Sequence, residues 1–231
     1  MSDFSKILVV FAHPDDAEFT SGGTVARWTE EGAEVHYVCV TDGSAGSNDP
    51  DMTRERLAVI REAEQRAAAE SLGVASVTFL GFTDGYLECS LDARRALARE
   101  VRRNRPDLLV GPDPSRLWTK GVYINHPDHR AAGELVLCAV MPDAPSRPQF
   151  PELLDEGFEP FEVPALWLAG SDADHYVDIS ATMDRKLAAL ACHASQVGGD
   201  PEVEERVRER ARSYGERAGL EYAEAYRTFA F

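Results

Sequence analysis

The residues best suited to chemistry fall in two short clusters. "HPDD" at 13–16 ends the apolar run "ILVVFA", and "HPDH" at 126–129 lies within "NHPDHR". Imidazole and carboxylate together suit zinc, and a catalytic zinc site uses three protein ligands with the fourth position left to water. His13 and Asp16 form an HxxD pair, a spacing that one turn at the head of a helix folds onto a single centre. Either His126 or His129 could supply the third ligand. Asp15, one residue from a ligand, points elsewhere and is free to act as a base on the metal's water. Taken alone, HPDD reads more readily as a turn whose aspartate caps the helix that follows. A second histidine–aspartate cluster at the end of another strand is hard to explain as capping.

The elements that must position these groups alternate. Apolar runs "KILVVFA", "EVHYVCV", "SVTFLG" and "DLLVGP" are each followed by a helix-like segment, in order "GTVARWTEEG", "TRERLAVIREAEQRAAAESLG", "LDARRALAREVRRNR" and "HRAAGELVLCAVM". Apolar strands without polar alternation, separated by helices, predict a parallel sheet covered on both faces, a three-layer α/β sandwich. In such a sheet ligands bind outside the carboxyl ends of the strands, so the strand-to-helix loops carry the chemistry. Those loops hold His13–Asp16, Thr41–Gly43, Asp84–Gly85, and Asp113 with the HPDH cluster. Residues 141–164 carry six prolines and no sustained period, which predicts a loop at the rim of one domain spanning 1–231. Strands at "ALWLAG" and "HYVDIS", a helix at "TMDRKLAALACHASQ" and a charged helix at "PEVEERVRERARSYGERAG" complete the chain.

Bulk composition excludes several functions. Forty acidic against 24 basic residues give a formal charge of −16, which opposes sequence-independent attraction to nucleic acid or anionic lipid. "MSDFSK" lacks a cationic start and no stretch approaches the roughly 20 apolar residues of a membrane span, so the expectation is a soluble, cytoplasmic protein. Cys39, Cys89, Cys138 and Cys192 stand far apart with no CxxC pair, against both a disulfide framework and a thiolate metal site. His36 and His175 lie in or beside strands and read as structural, whereas His193, in "HASQ" at a helix end, stands between a helix-terminal and a site-edge role.

"AHPDDAEF" followed by "GGT", then "TDG", "IREAEQRAAAESLGV", "FLGFTDG", "RPDLLV", "HPDHRAAG", the late "HxSQ" and the final "AEAYR" resemble the LmbE/PIG-L family of metal-dependent deacetylases, in the family's order from residue 7 to about 228. The resemblance implies a Rossmann-like fold, a zinc ion or another divalent metal such as Fe2+, and hydrolysis of an N-acetyl group on a glucosamine-containing small molecule. Carried over by position, it implies His13, Asp16 and His129 as metal ligands and Asp15 as general base. His126, oriented by Asp128, would be an imidazolium that stabilises the oxyanion or protonates the leaving amine. Asp128 would then raise the pKa of His126, and activity would have an alkaline limb. Arg61 and Asp84 fall where family members contact substrate. Short bacterial members that the chain resembles often form homo-oligomers.

Where many members read "HPDDE", Ala17 follows the aspartates here and Glu18 comes one place later. Alternative readings are an amidase acting on a non-sugar amide or thiol conjugate, and a magnesium-binding receiver-like module, which has no use for the HPDH cluster. A dinucleotide-binding oxidoreductase shares the strand–helix alternation, but two carboxylates at the first turn would repel a pyrophosphate.

Overall fold

Strand β1, Lys6–Phe11, is buried from both sides: Ile7, Val9 and Phe11 join one apolar cluster, and Leu8 and Val10 join another across the sheet. That two-sided burial is why the run shows no polar alternation. The computed structural model describes residues 4–119, 123–170, 172–198 and 200–231; the first three residues of "MSDFSK" lie outside them.

Six elements follow in the expected order: α1 (Asp16–Glu30), β2 (Glu34–Thr41), α2 (Arg54–Leu72), β3 (Ser76–Phe82), α3 (Leu91–Asn104) and β4 (Leu108–Pro112). Thr53 and Ser90 start α2 and α3 by accepting the backbone N–H of Arg56 and Ala93, as N-cap hydroxyls do. A short hairpin of β5 (Trp118–Thr119) and β6 (Tyr123–Ile124) leads into α4 (Pro127–Cys138). Then come α5 (Glu152–Asp155), β7 (Ala165–Ala169), β8 (His175–Asp178), α6 (Met183–Ala191), α7 (Ala194–Val197), α8 (Val203–Ala218) and β9 (Ala223–Ala230).

The seven-stranded sheet runs β3-β2-β1-β4-β7-β9-β8. Its first five strands pair in parallel, and β9 runs antiparallel to both β7 and β8. Helices cover both faces, giving the expected mainly parallel three-layer sandwich. Strand order reverses between β1 and β4, so the crevice of the sheet opens between the loops that carry the two histidine motifs.

Two elements depart from expectation. The terminal "AEAYR" is the start of strand β9, a segment for which composition offered no signal. The single helix expected over 182–196 breaks at Cys192–His193 into α6 and α7. Segment 141–164 joins the carboxyl end of α4 to the amino end of β7, away from the strand ends that form the crevice. Arg102, buried in α3, donates to the carbonyls of Asp143, Ala144, Ser146 and Gln149, and Arg94 pairs with buried Asp143 at 2.7 Å. The segment is thus pinned to α3 and does not shape the site. Among the described residues, no helix is long and apolar enough to cross a membrane.

Candidate active site

The two motifs fold as helix starts, in different ways. In the first, Asp15 is the N-cap of α1 with φ +106°, and its carboxylate makes no capping bond. The capping explanation of HPDD therefore fails. In the second, His126 is the N-cap of α4, Pro127 occupies the first turn, and His126 Nδ1 accepts the N–H of Asp128 at 3.2 Å. Proline suits that position because the N–H it lacks has no partner within the helix.

Three donor atoms converge where the motifs meet. His13 Nδ1 lies 3.3 Å from Asp16 Oδ2 and 3.3 Å from His129 Nε2, and His129 Nε2 lies 3.1 Å from Asp16 Oδ1. Ligands about 2.0–2.1 Å from a tetrahedral zinc are separated by roughly 3.3–3.4 Å, so this triangle has the dimensions of three corners of such a site. The tautomers fit as well. His13 Nε2 lies 3.2 Å from both Asp128 Oδ2 and Asp84 Oδ1, and His129 Nδ1 lies 2.9 Å from Asn125 Oδ1. With a metal bound, each ring would give its outer N–H to an oxygen acceptor and turn its lone pair inward, as metal-binding histidines do.

His13, His126 and Asp128 form a second cluster of potential ligands. It is the poorer set, since the Asp128 carboxylate already accepts the N–H groups of Gly85 and Leu87 at 2.7 and 3.3 Å, and the Nδ1 lone pair of His126 is spent on the cap.

The electrostatics call for a cation. Burial alone would lower the pKa of His13, but its contacts with Asp128, Asp16 and Asp84 hold it well above the ordinary histidine value. Burial would raise Asp16, yet His129 and His13 hold it well below the carboxylate range. A proton on His13 thus balances surrounding carboxylates, and a divalent ion would displace it.

Asp15 stands beside this set. Burial, reinforced by the charge of Asp16 and opposed by Arg61, pushes its pKa up to about 7. Arg61, from α2, donates to Asp15 Oδ2 at 3.2 Å, Pro14 O at 2.5 Å and Gly43 O at 2.9 Å. The open cleft in front, about 250 Å³, is lined by Asp15, His126 and the triangle of His13, Asp16 and His129 together with Arg61, Asp84 and Tyr123.

The fold, the triangle and the adjacent carboxylate agree with what comparison finds. Residues 8–140 match the PIG-L family model, described as GlcNAc-PI de-N-acetylase. The chain belongs to this family. It is 36% identical over 230 residues to a diacetylchitobiose deacetylase of Thermococcus kodakarensis, covering 98% of this chain and 84% of the relative. The solved N,N'-diacetylchitobiose deacetylase of Pyrococcus horikoshii superimposes with a TM-score of 0.91 at 33% identity, covering 99% and 85% of the two chains. GalB of Pseudomonas putida, a 4-carboxy-2-hydroxymuconate hydratase, matches with a TM-score of 0.79 at 26% identity, covering 97% and 95%. The PIG-L fold alone therefore does not fix the reaction.

The geometry bears on four assignments that the PIG-L resemblance implies. Arg61 lines the cleft but is only 3% exposed, and its bonds go to Asp15 and two carbonyls, so its guanidinium anchors Asp15. Asp84, 4% exposed, accepts the N–H of Ala45 at 2.9 Å and braces His13; despite burial, His13 holds its pKa down at about 2. Asp128 does not orient His126 through its carboxylate, which is 3.9 Å away and occupied by His13 and two backbone amides; its N–H does so instead. Burial, with the charge of His13, lowers the pKa of His126 although Asp128 opposes the shift. The lowered pKa and the accepting Nδ1 favour a neutral ring that keeps an Nε2–H over the imidazolium that the resemblance implies.

The other histidines sort clearly. His36 Nδ1 lies 2.8 Å from Ser76 Oγ, and His175 packs against Trp167 at 4.6 Å, both outside the cleft lining. His193 is fully buried against Glu18, neither helix-terminal decoration nor site edge. Sequence reasoning missed Asn125, which braces His129, and Gln65, whose Oε1 accepts the N–H of Asp15 at 2.9 Å. Asn125, just ahead of HPDH, was within reach of the requirement that a metal-binding histidine have a partner. Gln65 carried no such signal.

Proposed function

We propose that the protein is a zinc-dependent hydrolase that removes the N-acetyl group from a glucosamine-containing small molecule. The observation that carries this reading is the triangle of His13, Asp16 and His129 with a base of pKa about 7 beside it. A PIG-L family match and a diacetylchitobiose deacetylase among its relatives support the substrate class.

His13 Nδ1, an Asp16 oxygen and His129 Nε2 would hold the metal, which supplies Lewis acidity and lowers the pKa of a water to about 7. Asp15 takes a proton from the attacking water as it adds to the acetamide carbonyl, a role suited to a carboxylate whose basicity burial raises. Arg61 keeps that carboxylate aimed at the cleft. His126 has its Nδ1 bound to the Asp128 amide, which leaves Nε2–H to donate to the carbonyl oxygen as negative charge develops there. Asp15 then returns the proton to the nitrogen as the C–N bond breaks, releasing acetate and an amine.

Acetate release from a panel of N-acetylated glucosaminides, beginning with N,N'-diacetylchitobiose, tests this reading. Stoichiometric acetate and free amine from at least one member, abolished by chelation and restored by zinc, is the expected result. A hydratase of the GalB kind would release neither.

A further inference from the structure

Three polar residues outside the metal set lie behind the base. Glu18, Gln65 and His193 are each 0% exposed and come from α1, α2 and the break between α6 and α7. Gln65 Nε2 donates to both carboxylate oxygens of Glu18 at 3.1 Å, and His193 Nε2 lies 3.1 Å from Glu18 Oε2. As the acceptor of these bonds, the Glu18 carboxylate fixes the direction of both neighbours. His193 must present Nε2–H to it. Gln65 must turn its amide nitrogen to Glu18, which leaves Oε1 facing the N–H of Asp15 at 2.9 Å.

That last bond falls at a demanding place. Asp15 has φ +106°, a region that a residue with a side chain occupies only when its surroundings hold it there. Its N–H precedes the helix and has no helical acceptor, so Gln65 supplies the partner. This backbone conformation keeps the carboxylate off the helix N–H groups it would otherwise cap. Arg61, one helical turn before Gln65 on α2, holds the side chain, so both anchors of Asp15 come from one face of one helix. The "HASQ" motif closes the chain. His193 binds Glu18, and Ser195 gives its N–H and hydroxyl to Glu64, next to Gln65, at 2.7 and 2.6 Å.

We infer that Glu18, Gln65 and His193 form a buried relay of hydrogen bonds that holds Asp15 in its catalytic conformation, which makes them positioning residues for the base. The inference rests on Asp15 being that base. It gives a role to Glu18 and to the HASQ motif, neither of which touches the cleft.

A double-mutant cycle on the zinc-loaded protein with diacetylchitobiose tests it. Gln65→Met keeps the volume and removes the bonds to Glu18 and to the Asp15 N–H. It should lower kcat on the order of tenfold to a hundredfold while leaving KM and zinc content within about twofold, the cost of a slightly misplaced catalytic group. In an Asp15→Asn background the same substitution should cost nothing more, because no base remains to be misplaced. His193→Gln, which still offers a donor to Glu18, should retain most of the rate that His193→Phe loses. Wild-type kcat in Gln65→Met, or an equal loss in the Asp15→Asn background, would overturn the relay. Should Gln65→Met fail to fold, equal rates in the two His193 variants would do so. Wild-type kcat in Asp15→Asn would instead remove the base assignment and, with it, the inference.

Discussion

At the scale of single residues, the site is decided by which lone pair or N–H each ring has left. His13 and His129 give their outer N–H groups to Asp128, Asp84 and Asn125 and keep lone pairs for a metal, while His126 spends its lone pair on a helix cap and keeps an N–H for substrate. Three outcomes follow. The raised pKa of His13 means that metal must displace a proton at neutral pH. Zinc titrations by calorimetry in buffers of different ionisation enthalpy should therefore report net proton release, and a buffer-independent heat would contradict the assignment. Asp15 works as the anion, so kcat/KM should fall as pH drops through its pKa. That value is about 7 without metal, and a dication beside Asp15 lowers it, so the acid limb should lie below pH 7. His126→Ala should cut kcat/KM by about 10² to 10³ through loss of an oxyanion donor, by the same factor at every pH above that limb. An alkaline limb present in wild type and absent from this variant would restore the imidazolium reading.

At the scale of elements, α4 matters most because its first turn carries both His126 and His129. It packs on β4 and the loop after it at Gly133, where a Cβ would fall 2.6 Å from the Pro112 carbonyl oxygen and 2.8 Å from the Pro114 nitrogen. Backbone atoms cannot swing aside as a side-chain tip can. Gly133→Ala should therefore destabilise the fold by about 1–3 kcal/mol and weaken zinc binding by shifting His129. Thermal unfolding and a competitive zinc titration check both, and wild-type values would show that the contact relaxes freely. The same elements show what the sequence could reveal. The strand–helix alternation and the HxxD pair were legible because their signals are local. The switch of Asp128 from His126 to His13 was hidden, since the contact spans 115 residues. So was the partnership of Glu18 with His193, 175 residues apart. Strand β9 also escaped notice: its opening "AEAY" alternates small and polar residues, and its partners β7 and β8 lie far back in the chain.

At the scale of the molecule, the reversal of strand order between β1 and β4 brings two motifs more than a hundred residues apart to one crevice, and a chain of formal charge −16 gathers four carboxylates around it. In the proposed mechanism those carboxylates have distinct tasks: Asp16 would bind metal, Asp84 and Asp128 brace His13, and Asp15 would move the proton. This division of labour is the central claim, and the rate of acetate release from N,N'-diacetylchitobiose by Asp15→Asn at full zinc occupancy tests it most directly. Because Asp15 is no ligand, the variant should hold one zinc per chain like wild type, yet its kcat should fall by about 10² to 10⁴ through loss of the base. Loss of zinc from the variant, or wild-type acetate release with the metal in place, would contradict the account.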